Sequence, residues 1–223
     1  MMWQGDGQAA ASASALRELI VVRHGETTFN RENRVTGQLD PALTDHGRAQ
    51  AEALCALLAT FPLTAIYASP LIRSVQTACP TAVRHGLPVQ ILDELMEQHL
   101  GALQGRSRSG ADPVSSTLSA SRRHDDPQFR FPGGESATDL RARVRCGLAR
   151  ICADISAGIV LIVAHKRVNQ ALLGLLLDSP VEGLRGLRMP NGSACRVTLH
   201  PTPHADLLGT RGQPEQGRRR QSR

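Results

Sequence analysis

Two histidines in this chain stand directly after apolar runs. Leu19-Ile20-Val21-Val22 leads into Arg23, His24 and Gly25, and Ile159-Val160-Leu161-Ile162-Val163-Ala164 leads into His165. A third apolar segment, 64–68, passes through Ser69 and Pro70 to Arg73. Imidazoles and guanidiniums in such an arrangement suit phosphoryl transfer. A phosphate monoester carries nearly two negative charges near neutrality, and its transfer needs fixed positive charge around three equatorial oxygens. Arginine supplies planar, paired donors for that task. A neutral imidazole can attack phosphorus and form a phosphohistidine, which divides one hydrolysis into two easier steps. The departing alkoxide then needs a proton, which a carboxylic acid can give. Glu97, in Leu95-Met96-Glu97-Gln98-His99-Leu100-Gly101, is a candidate donor, and spacing alone leaves Glu94 equally open.

One histidine after a strand is an ordinary stop signal, since polar residues and glycine end strands routinely. Two of them, with arginines at matching positions, describe a site. The elements must then bring the strand ends together. Segments 18–23, 64–68, 88–92, 159–164 and 194–199 read as strands, the fourth as a central strand covered on both faces. Thr44-Asp45-His46-Gly47 starts a helix that carries Leu54, Leu57 and Leu58 on one stripe. A helix over about 71–85 should be kinked or shortened near Pro80. Ser136 and Asp139 form a capping-box pattern ahead of Leu140, Val144, Leu148, Ile151 and Ile155, and a further helix is expected over 168–177. Strands alternating with helices predict an α/β three-layer sandwich, a mostly parallel central sheet with helices on both faces. In an open sheet of this kind ligands bind beyond the carboxyl ends of the strands. Neighbouring parallel strands would therefore put His24 and His165 into one crevice.

Residues 1–17 read as a flexible lead-in and 18–200 as one domain. Segment 98–135 reads as an irregular insertion over the site, and 201–223 as a disordered, Arg-rich tail. The net charge of +6 sits largely at the end of that tail: five arginines (211, 218, 219, 220 and 223) against Glu215 place four of the six charges in the last thirteen residues. The body is close to neutral and, with aromatics at 3%, offers no stacking platform, so nucleic acid is not an expected partner. No apolar stretch reaches the ~20 residues of a membrane span, and no membrane partner is expected. Five scattered cysteines (55, 79, 146, 152 and 195) form no C-x-x-C pair, which suits a reducing cytoplasm.

Arg23-His24-Gly25-Glu26-Thr27 resembles the signature of the histidine phosphatase superfamily, which includes the cofactor-dependent phosphoglycerate mutases. The resemblance extends from residue 19 to about 199 and implies the phosphoglycerate mutase-like fold, with no metal and no other cofactor. It implies Arg23, Arg73 and His165 as partners of His24, and it selects Glu97 as the acid/base residue. Asn30, Thr36 and Gly37, in the loop ending Thr36-Gly37-Gln38-Leu39-Asp40-Pro41, would line the phosphate site. Phe131-Pro132-Gly133-Gly134-Glu135-Ser136 and Pro190-Asn191-Gly192-Ser193 are similar to the phosphatase branches.

Segment 97–105 is close to the mutase version, and Arg108, Arg122 and Arg123 could mimic that branch's carboxylate-binding cations. The mutases, however, carry tyrosine where Leu100 stands and a longer insertion before Ser136. His165-Lys166-Arg167 departs from both branches, because most relatives place glycine after this histidine. Lys166 is the only lysine in the chain. If it faces the pocket, it would bind a second anionic group on the substrate. The reading is a cytoplasmic phosphomonoester hydrolase acting on a small phosphorylated metabolite. A phosphoglycerate mutase-type phosphotransferase and a catalytically silent binding protein on the same fold are the alternatives.

Overall fold

The computed structural model of the protein describes residues 15–109, 112–121, 126–155, 157–179, 188–199 and 202–208. Six strands form one sheet: β1 (Ala15–Arg23), β2 (Leu63–Ala68), β3 (Val89–Ile91), β4 (Ala157–Ala164), β5 (Ala194–Thr198) and β6 (His204–Leu208). Their order across the sheet is β3-β2-β4-β1-β5-β6. β1, β2, β3 and β4 pair in parallel, while β5 runs antiparallel to β1 and β6 antiparallel to β5. Register puts Arg23 beside Ala164, so β1 and β4 end level with each other.

The helices are α1 (Thr28–Arg31), α2 (Asp45–Leu58), α3 (Ile72–His85), α4 (Pro113–Ala120), α5 (Ala137–Asp154) and α6 (Lys166–Leu176). Alternation along the strands decides where they pack. Leu19 and Val21 of β1, with Val160 and Ile162 of β4, bury against Leu140, Val144 and Ile151 of α5 and Val168, Leu172 and Leu173 of α6. Ile20, Val22, Leu161 and Val163 face the other way, onto Leu54 and Leu58 of α2 and Ala78 and Ala82 of α3. The outcome is the expected three-layer sandwich. Caps set the helix starts: the Thr44 hydroxyl accepts from the Gly47 amide, and Ser136 with Asp139 forms the expected capping box.

Four expectations need correction. α3 is not shortened at Pro80 but runs through it as one element, with Arg73, Ser74, Thr77, Ala78, Thr81 and Ala82 buried along its inner face. The 98–135 segment contains α4, started by the Asp112 carboxylate accepting from the Val114 amide, with Pro113 in the first turn. β1 begins at Ala15, inside the stretch read as a lead-in. β6 falls in the stretch read as a tail, where pairing with β5 gives it a structure its own composition does not demand. Residues 1–14 and 209–223 lie outside the described residues, as do Arg122 and Arg123. No helix among the described residues is long and apolar enough to cross a membrane.

Candidate active site

Three adjacent strands deliver the site. β1 ends at Arg23 and His24, β4 ends at His165, and β2 leads into the first turn of α3 at Arg73. The ends open into a cavity of about 340 Å³ lined by, among others, Arg23, His24, Arg73, Glu97, Arg108 and Lys166.

His24 is nearly enclosed. Its backbone N–H donates to Ala164 O at 3.0 Å, and its carbonyl accepts from the Asn191 side chain and the Gly192 amide. Nδ1 lies 2.7 Å from the carbonyl oxygen of Gly25. A carbonyl can only accept, so Nδ1 carries the proton and Nε2 keeps its lone pair. Burial above all, then the charges of Arg73 and Arg23, hold the His24 pKa well below the usual histidine range. The ring is therefore neutral and nucleophilic at Nε2. The loop after it is tightly seated, because a Cβ on Gly25 would meet Gly47 O at 2.5 Å and a Cβ on Gly47 would meet Glu26 O at 2.1 Å.

Arg73 is fully buried, and its donors are aimed by three fixed acceptors. Nη1 donates to Leu39 O at 2.7 Å, Nη2 to Gly37 O at 2.8 Å, and Nε to His165 Nδ1 at 3.3 Å. Of the five guanidinium hydrogens, these contacts leave one on each Nη for an anion. Burial lowers its pKa to about 10, which leaves it charged. Gly37 adopts φ +54°, where a side chain would bear left-handed backbone strain and displace the Gln104 amide, whose Oε1 lies 2.1 Å from the Cβ position. Arg23 donates from Nη1 to Met189 O, while its buried Nε has no partner among the described residues. An unpaired buried donor costs about 1–3 kcal/mol, which a bound anion would offset.

His165 sits beside His24, ring centroids 5.1 Å apart, but it does not line the cavity. Accepting from Arg73 at Nδ1 puts its proton on Nε2, which faces Ser74 Oγ at 3.4 Å. Burial, then Arg73, holds its pKa well below the usual range. It lies behind the lining residues, in contact with Arg73.

Geometry separates the two glutamates. Glu94 pairs with Arg150 at 2.7 Å and lies off the cavity. Glu97 lines it, with one carboxylate oxygen accepting from the Gln98 amide at 2.9 Å and the other 3.4 Å from the Arg167 amide in the first turn of α6. Asn30, Thr36 and Gly37 also line the cavity, as do Arg108 and Lys166 at its mouth. Arg34, Arg167 and Asn191 line it too and escaped the sequence reading. Asn191 had a signal in Pro190-Asn191-Gly192-Ser193: its amide donates to His24 O, Gly25 O and Asn30 Oδ1, tying two parts of the site together. Leu100, Leu103 and Phe131 of the insertion give the cavity one apolar wall. Among the described residues no cluster of His, Cys, Asp and Glu could hold a metal ion.

Residues 19–205 match the profile of the histidine phosphatase superfamily (branch 1). The chain belongs to this superfamily. It is an enzyme of the phosphoric monoester hydrolase class. It is 33% identical over 204 residues to the glucosyl-3-phosphoglycerate phosphatase of Mycobacterium tuberculosis, which covers 87% of this chain and 91% of the relative. It is 33% identical over 187 residues to a probable phosphoglycerate mutase of Yersinia pestis, with 83% and 86% of the two chains covered. Among solved structures, a mycobacterial glucosyl-3-phosphoglycerate phosphatase complexed with VO3 superposes with a TM-score of 0.77 at 33% identity, over 86% of this chain and 98% of that one. A putative alpha-ribazole-5'-P phosphatase from Escherichia coli gives a TM-score of 0.77 at 28% identity, over 86% and 96%. This histidine phosphatase thus has relatives named both as phosphatases and as a mutase.

Proposed function

We propose that the enzyme hydrolyses a small phosphorylated metabolite through a phosphohistidine at His24, with Glu97 as general acid and then general base. The observation that carries this is the Nδ1–H···O contact to Gly25, which frees Nε2 of a neutral imidazole beside two arginines. In the first step the Nε2 lone pair attacks phosphorus and the P–O bond to the leaving group breaks. The departing oxygen takes the carboxyl proton of Glu97. In the second step water attacks the phosphoenzyme, Glu97 takes its proton, and the P–N bond breaks to release inorganic phosphate. Arg23 and Arg73 hold the equatorial oxygens throughout, with Asn30, Thr36 and Gly37 completing the phosphate cradle. His165 fixes the Arg73 fork.

Specificity would then fall to the mouth. Arg108 and Lys166 lie there with Glu97 as the nearest opposite charge, and each has its pKa lowered by burial and by the neighbouring Arg167. Such a cluster of like charges favours a substrate with a second anionic group, as in the phosphoglycerate esters after which two of the relatives are named. That same cluster supports transfer to a second phosphorylated acceptor as the alternative reading. The five cysteines, all free thiols, suit a cytoplasmic setting. Rapid quenching with 32P-labelled substrate tests the mechanism: an acid-labile, base-stable adduct is expected in the native enzyme and not in His24→Ala. Label released as inorganic phosphate supports the hydrolase; label recovered on a second metabolite supports the transferase.

A further inference from the structure

Glu97 sits on a loop with no regular hydrogen-bond ladder to hold it, yet a general acid must be placed to within a fraction of an ångström. The loop is held from outside, and by one ion pair above all. Nε and Nη2 of Arg143, on α5, grip both carboxylate oxygens of Glu135 at 3.0 and 2.8 Å. The remaining Nη1 donates to two backbone carbonyls of the Glu97 loop, Glu94 O at 2.8 Å and Met96 O at 2.9 Å. Glu135 holds the other side of the acid: its carboxylate accepts from the His99 amide at 3.2 Å, its own amide donates to His99 O at 2.8 Å, and its carbonyl accepts from Gln98 Nε2 at 2.9 Å. Residues 94, 96, 98 and 99 are therefore tied to one Arg–Glu pair, and Glu97 is the residue between the ties. Gly147, one turn further along α5, allows the close seat, since a Cβ there would meet Glu94 Cβ at 2.7 Å.

Resting on the reading of Glu97 as the acid, we infer that Arg143, braced by Glu135, is a positioning residue that aims the Glu97 carboxyl at the leaving-group oxygen. Neither residue lines the cavity or touches the phosphate cradle. Three side-chain nitrogens are used in four bonds, and only a planar fork can span a carboxylate and two carbonyls at once. Lysine keeps the charge but not the span. The pair is mostly buried, with side-chain exposures of 23% and 15%, so solvent screens it little compared with an open surface pair.

Leaving-group chemistry separates aiming from mere scaffolding. An alkyl phosphate needs the proton during P–O cleavage, while a nitrophenyl ester hardly does. For Arg143→Lys, kcat/KM should fall about tenfold or more on the alkyl ester and less than about threefold on the nitrophenyl ester. Glu135→Gln, which keeps shape and loses charge, should shift the same ratio in the same direction and serves if the lysine variant folds poorly. Glu97→Gln is the benchmark, and Arg143→Lys added to it should bring no further loss of alkyl-over-nitrophenyl selectivity. Equal losses on the two esters in both single variants, or selectivity losses that add in the double variant, would overturn the inference while leaving Glu97 as the acid. A Glu97→Gln enzyme that itself treats both esters alike would instead overturn the reading on which it stands.

Discussion

The floor and the mouth of the cavity are built on opposite plans. The floor stands on three strand ends packed on both faces, and its working groups are fixed by backbone atoms: Gly25 O for His24, and Gly37 O and Leu39 O for Arg73. The mouth rests on the insertion, whose buried apolar residues in the cluster it shares with Val35 are, among the described residues, Leu103 and Phe131. Its cations reach in from loops and from the start of α6, where Lys166 is exposed. On the proposed mechanism, the charges that act on the reacting phosphorus are immobilised by the sheet, and those that would recognise the rest of the substrate are carried on loops and at the start of α6.

The largest effect should come from His24, the proposed nucleophile of the floor. His24→Ala should lower kcat by at least about 10⁴-fold on every substrate, whatever its charge, as loss of a nucleophile does elsewhere. A loss that depends on the substrate's second anion would break the division.

Next comes one substitution made in both regions. Gly25→Ala drives a Cβ to 2.5 Å from Gly47 O, so the His24 loop must move. A displacement near an ångström should cost about 100-fold in kcat. Gly133→Ala in the insertion meets nothing within 4 Å and bears only the strain of φ +71°. It should lower stability by about 1–2 kcal/mol and leave kcat nearly unchanged. Steady-state kinetics alongside thermal melts compare the two.

A smaller effect belongs to the mouth. Lys166→Met should raise KM about tenfold for a phosphate ester carrying a second anion and barely alter it for a simple alkyl phosphate. The estimate is the low end of a charge-assisted hydrogen bond, because the exposed ammonium is screened. Raising the salt concentration should narrow the difference in the native enzyme. Equal KM changes on both substrates would show that Lys166 serves packing and not recognition.

The smallest effect is on stability against pH. His24 and His165 stay neutral in the fold, chiefly through burial and secondly through Arg73. The unfolded chain takes up protons near the ordinary histidine pKa of about 6.5 while the native state does not. Stability is thus fully present above that value and falls as the pH drops below it. Melting temperatures measured between about pH 7.5 and pH 5.5 should decline, and His165→Gln should flatten the decline.

Much of the floor is legible in the chain because each residue follows a local pattern. His24 and His165 close two apolar runs, and the sheet order then makes those runs neighbours. The capping pair Ser136 and Asp139 is equally local. The mouth is less legible, since the pattern that forms it is tertiary. Nothing in the spacing of Glu135, Arg143 and Glu97 announces that the first two embrace the loop of the third. α4 could have been found, because Asp112 followed by Pro113 is a helix-start signal. β6 could not, for its strand character comes from pairing with β5. Pro80 does not shorten α3, because propensity is local and the buried face of the helix is not.

The position of β1 has a consequence for the order in which the living cell can make this enzyme. Among the described residues β1 is the first strand synthesised, and its two neighbours are β4 and β5, more than a hundred residues downstream. While the ribosome is still at work on the middle of the chain, β2 and β3 can already pair, but the strand that carries His24 has no partner on either side. His24 is translated well before the strands that flank β1, and it gains its setting only when the last third of the chain has arrived. A message cut short before residue 157 would yield a polypeptide bearing the whole Arg23-His24-Gly25 signature and no catalytic floor to seat it.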